Sequence, residues 1–293
     1  MEFSMKKLLL SLALSLSVLS ATPAIAAAPA FSVSQMAQVK IKDLSFKEVM
    51  RQFYSGQMRP TSVNDEYIES MPNIGLGQVD SNGARIVALM HPMGLYDNAK
   101  GEPRYLVTIE KVIVYDESSE YCESCGSKAD LYSFKRLNNG QFQLISRTPE
   151  SVAFYDRWGT MNLQDNDIQK TIQLLGTNLV GSVFKSGYMT LGETNSWWTV
   201  LHLPENDFIN VYALGDAGSD NDGQDDEDSP LYYNYEGIVK VMPENAAYYP
   251  IILTYKGIPP DDPERPNFVN KSFVMKFNPV KKVYETTSSF AAL

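Results

Sequence analysis

The sequence predicts a mainly-β fold: antiparallel meander sheets packed as a sandwich or as curved sheets, with two short peripheral helices. An irregular β-propeller is the alternative. Three observations lead there. Alternating or continuous apolar runs recur at intervals of roughly ten to twenty residues, separated by Asn, Gly and Pro turn signals, as in hairpins rather than strand–helix–strand units. Only two stretches show the apolar spacing of a helix. No unit of roughly 40 to 45 residues recurs with its own signature, as propeller blades would.

The chain opens with a targeting pattern. Lys6-Lys7 precede an apolar run from Leu8 to Leu19, and Ala24-Ile25-Ala26 supplies small residues at −3 and −1 of a cleavage site. That order is a secretory signal peptide over residues 1–26. The destination is the periplasm or the exterior of a bacterial cell. Residues 27–284 are expected as one globular domain and 285–293 as a loose tail. No later run reaches the roughly 18 to 20 apolar residues of a membrane span.

Ser45-Phe46-Lys47-Glu48 has the form of a capping box. Phe46, Val49, Met50 and Phe53 then make one apolar stripe, so a helix is expected at 45–55. Arg85–Met90 is a short apolar strand. In Tyr105–Tyr115, Leu106, Thr108, Glu110, Val112 and Val114 alternate with Val107, Ile109, Lys111 and Ile113. Leu131–Leu137, Asn138-Asn139-Gly140 and Phe142–Ser146 form a hairpin with residues suited to positive φ at its turn. Ile168, Ile172 and Leu175, with Gly176 as a left-handed stop, predict a second helix at 166–175. Further strands are expected near 181–191, 197–203, 207–214, 231–241, 248–256 and 271–277. The proline-rich stretch 259–266 is a loop between late strands.

Composition narrows the function. With 44% hydrophobic residues the chain is too apolar for disorder, and a net charge of −10 argues against nucleic-acid binding, which needs a clustered cationic surface. Two cysteines exclude a disulfide scaffold or a four-cysteine zinc site within the chain. Cys122 and Cys125 are expected to form a disulfide clip on a loop in the oxidising compartment. A redox pair would need a helix after the second cysteine, and the following residues lead into a strand.

The acidity is local. Residues 214–236 hold Asp216, Asp220, Asp222, Asp225, Asp226, Glu227, Asp228 and Glu236 with no Lys or Arg. Removing residues 1–26 leaves a net charge of −11, so these eight account for most of it. Asp220-Asn221-Asp222-Gly223-Gln224-Asp225-Asp226 resembles the aspartate-rich loops of calcium-binding proteins. A calcium site would draw on Asp216, Asp220, Asp222, Asp226 and Asp228, although Gly218 and Ser229 stand where an Asp and a bidentate Glu belong. The other reading is a solvated acidic loop.

Catalytic signatures are sparse. Ser182-Val183-Phe184-Lys185, Ser219-Asp220-Asn221 and Lys185-Ser186-Gly187 match three short motifs of serine β-lactamases, but two of them share Lys185 within one strand. There is no G-x-S-x-G elbow, and His91 and His202 are the only candidate histidine bases. Aromatic residues instead suggest recognition. Tyr232, Tyr233, Tyr235 and Trp198 are candidates for a partner surface beside the acidic loop. The expected function is an exported, non-catalytic binding protein, of inhibitor or immunity type, whose protein partner is cationic. The alternatives are a calcium-dependent surface or glycan-binding module and a cell-wall hydrolase.

Overall fold

Two antiparallel sheets account for most of the chain, and the second is a meander in chain order. The computed structural model describes residues 32–79, 84–115, 117–119, 126–155, 161, 167–260 and 269–286. Phe31–Leu293 forms one unit. Among the described residues no helix is long and apolar enough to cross a membrane.

The first sheet contains β1 (Lys40–Ile41), β2 (Asn73–Val79), β3 (Arg85–Met90), β4 (Gly94–Asp97), β5 (Pro103–Tyr115), β6 (Ser118–Ser119), β7 (Ser127–Arg136), β8 (Phe142–Arg147) and β9 (Val152–Phe154). Its order is β1-β8-β7-β5-β3-β2, with β4 and β6 on β5 and β9 on β7. β5 is the spine. Its alternation sends Val107 and Ile109 to one face and Leu106, Val112 and Val114 to the other. On the first face lies α2 (Phe46–Phe53), whose Val49 and Met50 are buried among Met90, Val107, Ile109 and Phe134. The expected capping box is half formed. Ser45 accepts the Glu48 N–H, but the Glu48 carboxylate pairs with Arg51, and the Ser45 N–H donates to Asp43 at 3.0 Å instead. The short helices α1 (Val33–Met36) and α3 (Glu66–Glu69) are capped by Ser32 and Asp65.

The second sheet runs β10 (Ile172–Gly176), β11 (Leu179–Thr190), β12 (Glu193–Leu203), β13 (Asn210–Asp220), β14 (Asn234–Val241), β15 (Ile251–Ile258), β16 (Ser272–Asn278) and β17 (Val283–Thr286) in chain order. It curls into a half-barrel, and His202 on β12 reaches Tyr284 on β17 across the hollow, Nε2 to hydroxyl, at 2.8 Å. Two register shifts between β12 and β13 mark the bend. Gly218 sits there at φ 131°, and a Cβ on it would lie 2.5 Å from the Tyr235 carbonyl. Only glycine fits.

The outer face of β11–β13 packs on the first sheet, with Val180, Phe184, Leu201 and Ile209 against Leu106, Ala129, Leu131 and Phe154. A polar clamp reinforces the contact. Arg104, 4% exposed, grips Glu205 with Nε and Nη2 at 2.9 and 2.6 Å.

Two expectations need correction. The helix at 166–175 shrinks to α4 (Asp167–Lys170), and Ile172–Gly176 is strand β10. The apolar spacing fits either state over so short a stretch, and pairing with β11 decides it. Gly176 is not a helix stop; a Cβ there would meet the Ala247 carbonyl at 1.8 Å. Glu285 and Thr286, expected in the tail, pair in β17 with Lys276 and Met275. Cys122 and Cys125 lie outside the described residues, as do residues 1–26.

Candidate functional site

The acidic stretch becomes the end of β13, a loop over 221–233 and the start of β14. The loop is wound about one buried amide. Asn221, 4% exposed, donates through Nδ2 to Asp225 Oδ2 and the Leu231 carbonyl at 2.9 and 3.0 Å, and its Oδ1 accepts the Tyr233 N–H at 2.8 Å. Its main-chain carbonyl accepts from the N–H groups of Gln224 and Asp225 at 2.8 and 3.0 Å. Ser229 Oγ donates to Asp225 Oδ1 at 2.7 Å. Asn and Ser provide these local bonds because their short side chains compete well for nearby backbone groups.

The β11–β12 hairpin tip is fastened to this loop. Leu191 and Gly192 turn the hairpin at φ 49° and 82°. The Gly223 N–H donates to the Gly192 carbonyl at 3.0 Å, and Gln224 Nε2 donates to the Leu191 carbonyl at 2.9 Å. The two backbones touch so closely that a Cβ on Gly223 would stand 2.5 Å from Gly192 Cα. From the other side the Tyr233 hydroxyl donates to Glu193. Burial first, and that bond second, push the Tyr233 phenol up to about 12.

What remains on the outside is charge. Asp222, Asp226, Glu227 and Asp228 are exposed. Among the described residues none of them, nor Asp216, Asp220 or Asp225, forms an ion pair with Lys or Arg. The donors that organise the tip are neutral, so its negative charge is uncompensated.

The five carboxylates expected around calcium are not brought together. Asp216 turns inward, where its Oδ1 accepts the Gly218 N–H at 2.9 Å and its Oδ2 the Tyr235 hydroxyl. Asp222 leans toward Asn234, and Asp226 and Asp228 point to solvent from the loop. Among the described residues no three His, Cys, Asp or Glu side chains are grouped so as to hold a metal ion.

The aromatic expectations divide. Tyr235 is 4% exposed and packs with Leu253, Tyr255 and Phe273, so it is core and not partner surface. Its parity with Val239 and Val241 on one strand carried that information. Trp198 is half-buried on the inner face, where its indole N–H donates to the Gly237 carbonyl at 2.8 Å. Tyr232 and Tyr233 are half-buried at the base of the loop.

Three buried polar groups lie elsewhere. Glu110, fully buried, accepts from His91 Nε2 at 2.7 Å, from the Tyr67 hydroxyl at 2.7 Å and from the Met161 N–H at 2.6 Å. His91 also lines a cleft with Thr108, Leu106, Ile168 and Gln169, where the space open to the centre of a water molecule is about 20 Å³. That is room for one or two waters and no larger ligand. On the opposite face of β5, Lys111 donates to Asp130 at 2.8 Å and to Ser151 Oγ at 2.7 Å, Ser151 donates to Asp130 at 2.7 Å, and Tyr54 donates to Asp130 as well. Burial works to raise the Asp130 carboxyl, but the Lys111 charge and these bonds outweigh it and hold it below its ordinary range. His202 is ringed by Tyr212, Tyr248, Phe277 and Tyr284, at centroid distances of 4.8 to 6.0 Å. Burial pushes it down to about 4.

The β-lactamase-like motifs do not assemble. Ser182 and Lys185 lie three apart on β11, so they face opposite sides; Ser182 is buried against Thr171 and Lys185 lies over Trp198. The structural logic of the site therefore comes from this chain alone, for no protein-family model, no curated protein and no solved structure matches it.

Proposed function

We propose that this chain is an exported binding protein, of inhibitor or immunity type, which recognises a cationic protein partner at the tip formed by the 221–233 loop and the β11–β12 hairpin. The observation that carries this reading is the uncompensated charge of Asp222, Asp226, Glu227 and Asp228 on a loop fixed by neutral hydrogen bonds. Like charges so close together repel, and a cationic partner relieves that repulsion. A loop already ordered loses little conformational entropy on binding, so more of the interaction appears as affinity. A net charge of −11 after loss of residues 1–26 steers a basic partner to the surface. Export is supported by the order of residues 6–26, and the periplasm or cell exterior is the proposed location.

The test is capture from a periplasmic extract with the mature protein immobilised. A specific partner is expected to stay bound at low salt, to elute as salt rises, and to be lost from a variant carrying Asp222→Asn, Asp226→Asn, Glu227→Gln and Asp228→Asn. Direct binding of the purified partner by calorimetry completes it. Equal retention by the neutralised variant sinks the proposal.

A further inference from the structure

We infer that the outward face of β14–β16, together with the turn between β16 and β17, docks on an anionic lipid surface. This goes beyond the reading above and concerns a different part of the second sheet. The first sheet covers the outward face of β11–β13, whereas Ile238 on β14 and Val274 on β16 are 39% and 38% exposed. Their chain neighbours Val239 and Met275 point the other way, into the core. The pairing register joins the outward side chains into one patch. Lys240 lies opposite Ile252 and Ile252 opposite Val274, while Ile238 lies opposite Thr254 and Thr254 opposite Ser272. Lys276, two residues after Val274, falls on the same face. Beyond it the turn carries Val280, 90% exposed, followed by Lys281 and Lys282. Asn278 fixes that turn, its Oδ1 accepting the Val280 and Lys281 N–H groups at 3.1 Å each.

The patch is basic within an acidic chain. Lys240, Lys256, Lys276, Lys281 and Lys282 are all exposed, against Glu236, Glu285 and, in the connection after β14, Glu244. Of these lysines only Lys281 is ion-paired among the described residues, with Glu285 at 2.6 Å. Topology keeps the carboxylates of the tip at a distance. β14 leaves the acidic loop at Asn234 and arrives at Lys240 six residues later, about 20 Å on at roughly 3.3 Å per residue. That exceeds two Debye lengths of about 8 Å at physiological ionic strength, so the tip is screened where the lysines act. Apolar side chains interleaved with unpaired lysines match a headgroup layer, in which the isoleucine and valine side chains meet the acyl boundary and the ammonium groups stay at the phosphates. Each lysine at an anionic leaflet strengthens partitioning about fivefold, so three contribute about a hundredfold. A second copy laid face to face would set lysine against lysine.

The probe is co-sedimentation of the full mature protein with two sets of vesicles, one of phosphatidylcholine and phosphatidylglycerol in equal parts and one of phosphatidylcholine alone. Partitioning onto the anionic set is expected to be at least about tenfold stronger and to weaken as salt rises. Lys240→Gln, Lys276→Gln and Lys282→Gln together should erase that difference. Ile238→Thr with Val280→Ser should weaken binding about tenfold and leave its salt dependence in place. All of these side chains are exposed, so melting temperatures should not change, and Val280→Ser alone repeats the apolar test at the turn. The variant that neutralises Asp222, Asp226, Glu227 and Asp228 should bind the anionic vesicles at least as well as wild type, which keeps this inference separate from the reading of the tip. Equal partitioning onto the two sets, or binding undiminished by the lysine substitutions, overturns the inference. So does a mass in solution that grows with concentration and is returned to that of a monomer by the lysine variant and by the tip variant alike, because the lysines would then serve the tip of a second copy.

Discussion

Glu110 and Asp222 are both carboxylates in β-rich surroundings, yet one is enclosed by three donors and the other faces solvent and forms no ion pair among the described residues. The first sheet buries three charges and gives each a partner: Glu110 with His91 and Tyr67, Asp130 with Lys111 and Ser151, Arg104 with Glu205. The second sheet spends neutral amides and hydroxyls on holding its tip and leaves the charge unpaired. A buried charge without a partner is costly, so interior pairs are explained by the fold itself. An exposed charge without a partner is explained by nothing inside the molecule, and that asymmetry is what directs attention to the tip.

Glu110→Ala leaves the His91, Tyr67 and Met161 donors without an acceptor in the junction between two apolar clusters. A loss of about 3 to 5 kcal/mol in denaturant unfolding is expected; a loss under about 1 kcal/mol would mean that water serves those donors equally well. The next effect is a pH dependence. Burial holds the folded-state pKa of His202 at about 4, below its ordinary value of 6.5, so in the pH window between them the unfolded chain binds a proton that the folded chain refuses. Stability should therefore fall as pH drops from 6.5 to 4, by about 3 kcal/mol in total, and level off below. His202→Gln should remove this slope. Asp130 acts in a lower window. Its depressed carboxyl contributes stability above the unfolded value of 3.8, lost as pH falls through its folded value, so this slope survives in His202→Gln. Arg104→Ala, which removes the two-pronged grip on Glu205, should cost about 2 kcal/mol and no more, because Glu205 can turn to water.

The smallest effect on stability is expected at the tip. Asp222→Asn, Asp226→Asn, Glu227→Gln and Asp228→Asn together should change unfolding free energy by no more than about 0.5 kcal/mol, with a gain more natural than a loss because mutual repulsion is relieved. A large destabilisation would show that these carboxylates serve the fold, as Glu110 does.

The meander order was legible because alternation and turn residues are local signals. Arg85–Met90 emerges with the boundaries that its composition suggests, and the Asn138-Asn139-Gly140 turn closes β7 on β8 with Gly140 at φ 83°. β2 was not legible, since Gly75 and Gly77 interrupt any apolar pattern; Gly75 is needed where the Thr61 side chain and the Arg59 carbonyl crowd the strand. Ile172–Gly176 misled because its apolar residues satisfy a helical period, although its real partner, β11, follows after only Thr177-Asn178, and that two-residue turn, read as the end of a helix, is the turn of a hairpin. At the site, the sequence located the acidic loop but not its architecture. Asn221 reads as one more polar loop residue, and nothing local says that its amide is buried and binds three positions of the loop. Glu110 and Lys111 were read only as members of the alternation in β5, because the buried partner that each meets comes from another element.

The account stands or falls on separating stability from binding at the tip. The direct measurement is the dissociation constant of the captured partner for the wild-type protein and for the four-carboxylate variant across a salt series, with melting temperatures of both recorded alongside. The account predicts equal melting temperatures, a steep salt dependence for the wild type, and at least tenfold weaker, nearly salt-independent binding for the variant. Equal affinities and parallel salt curves would contradict it.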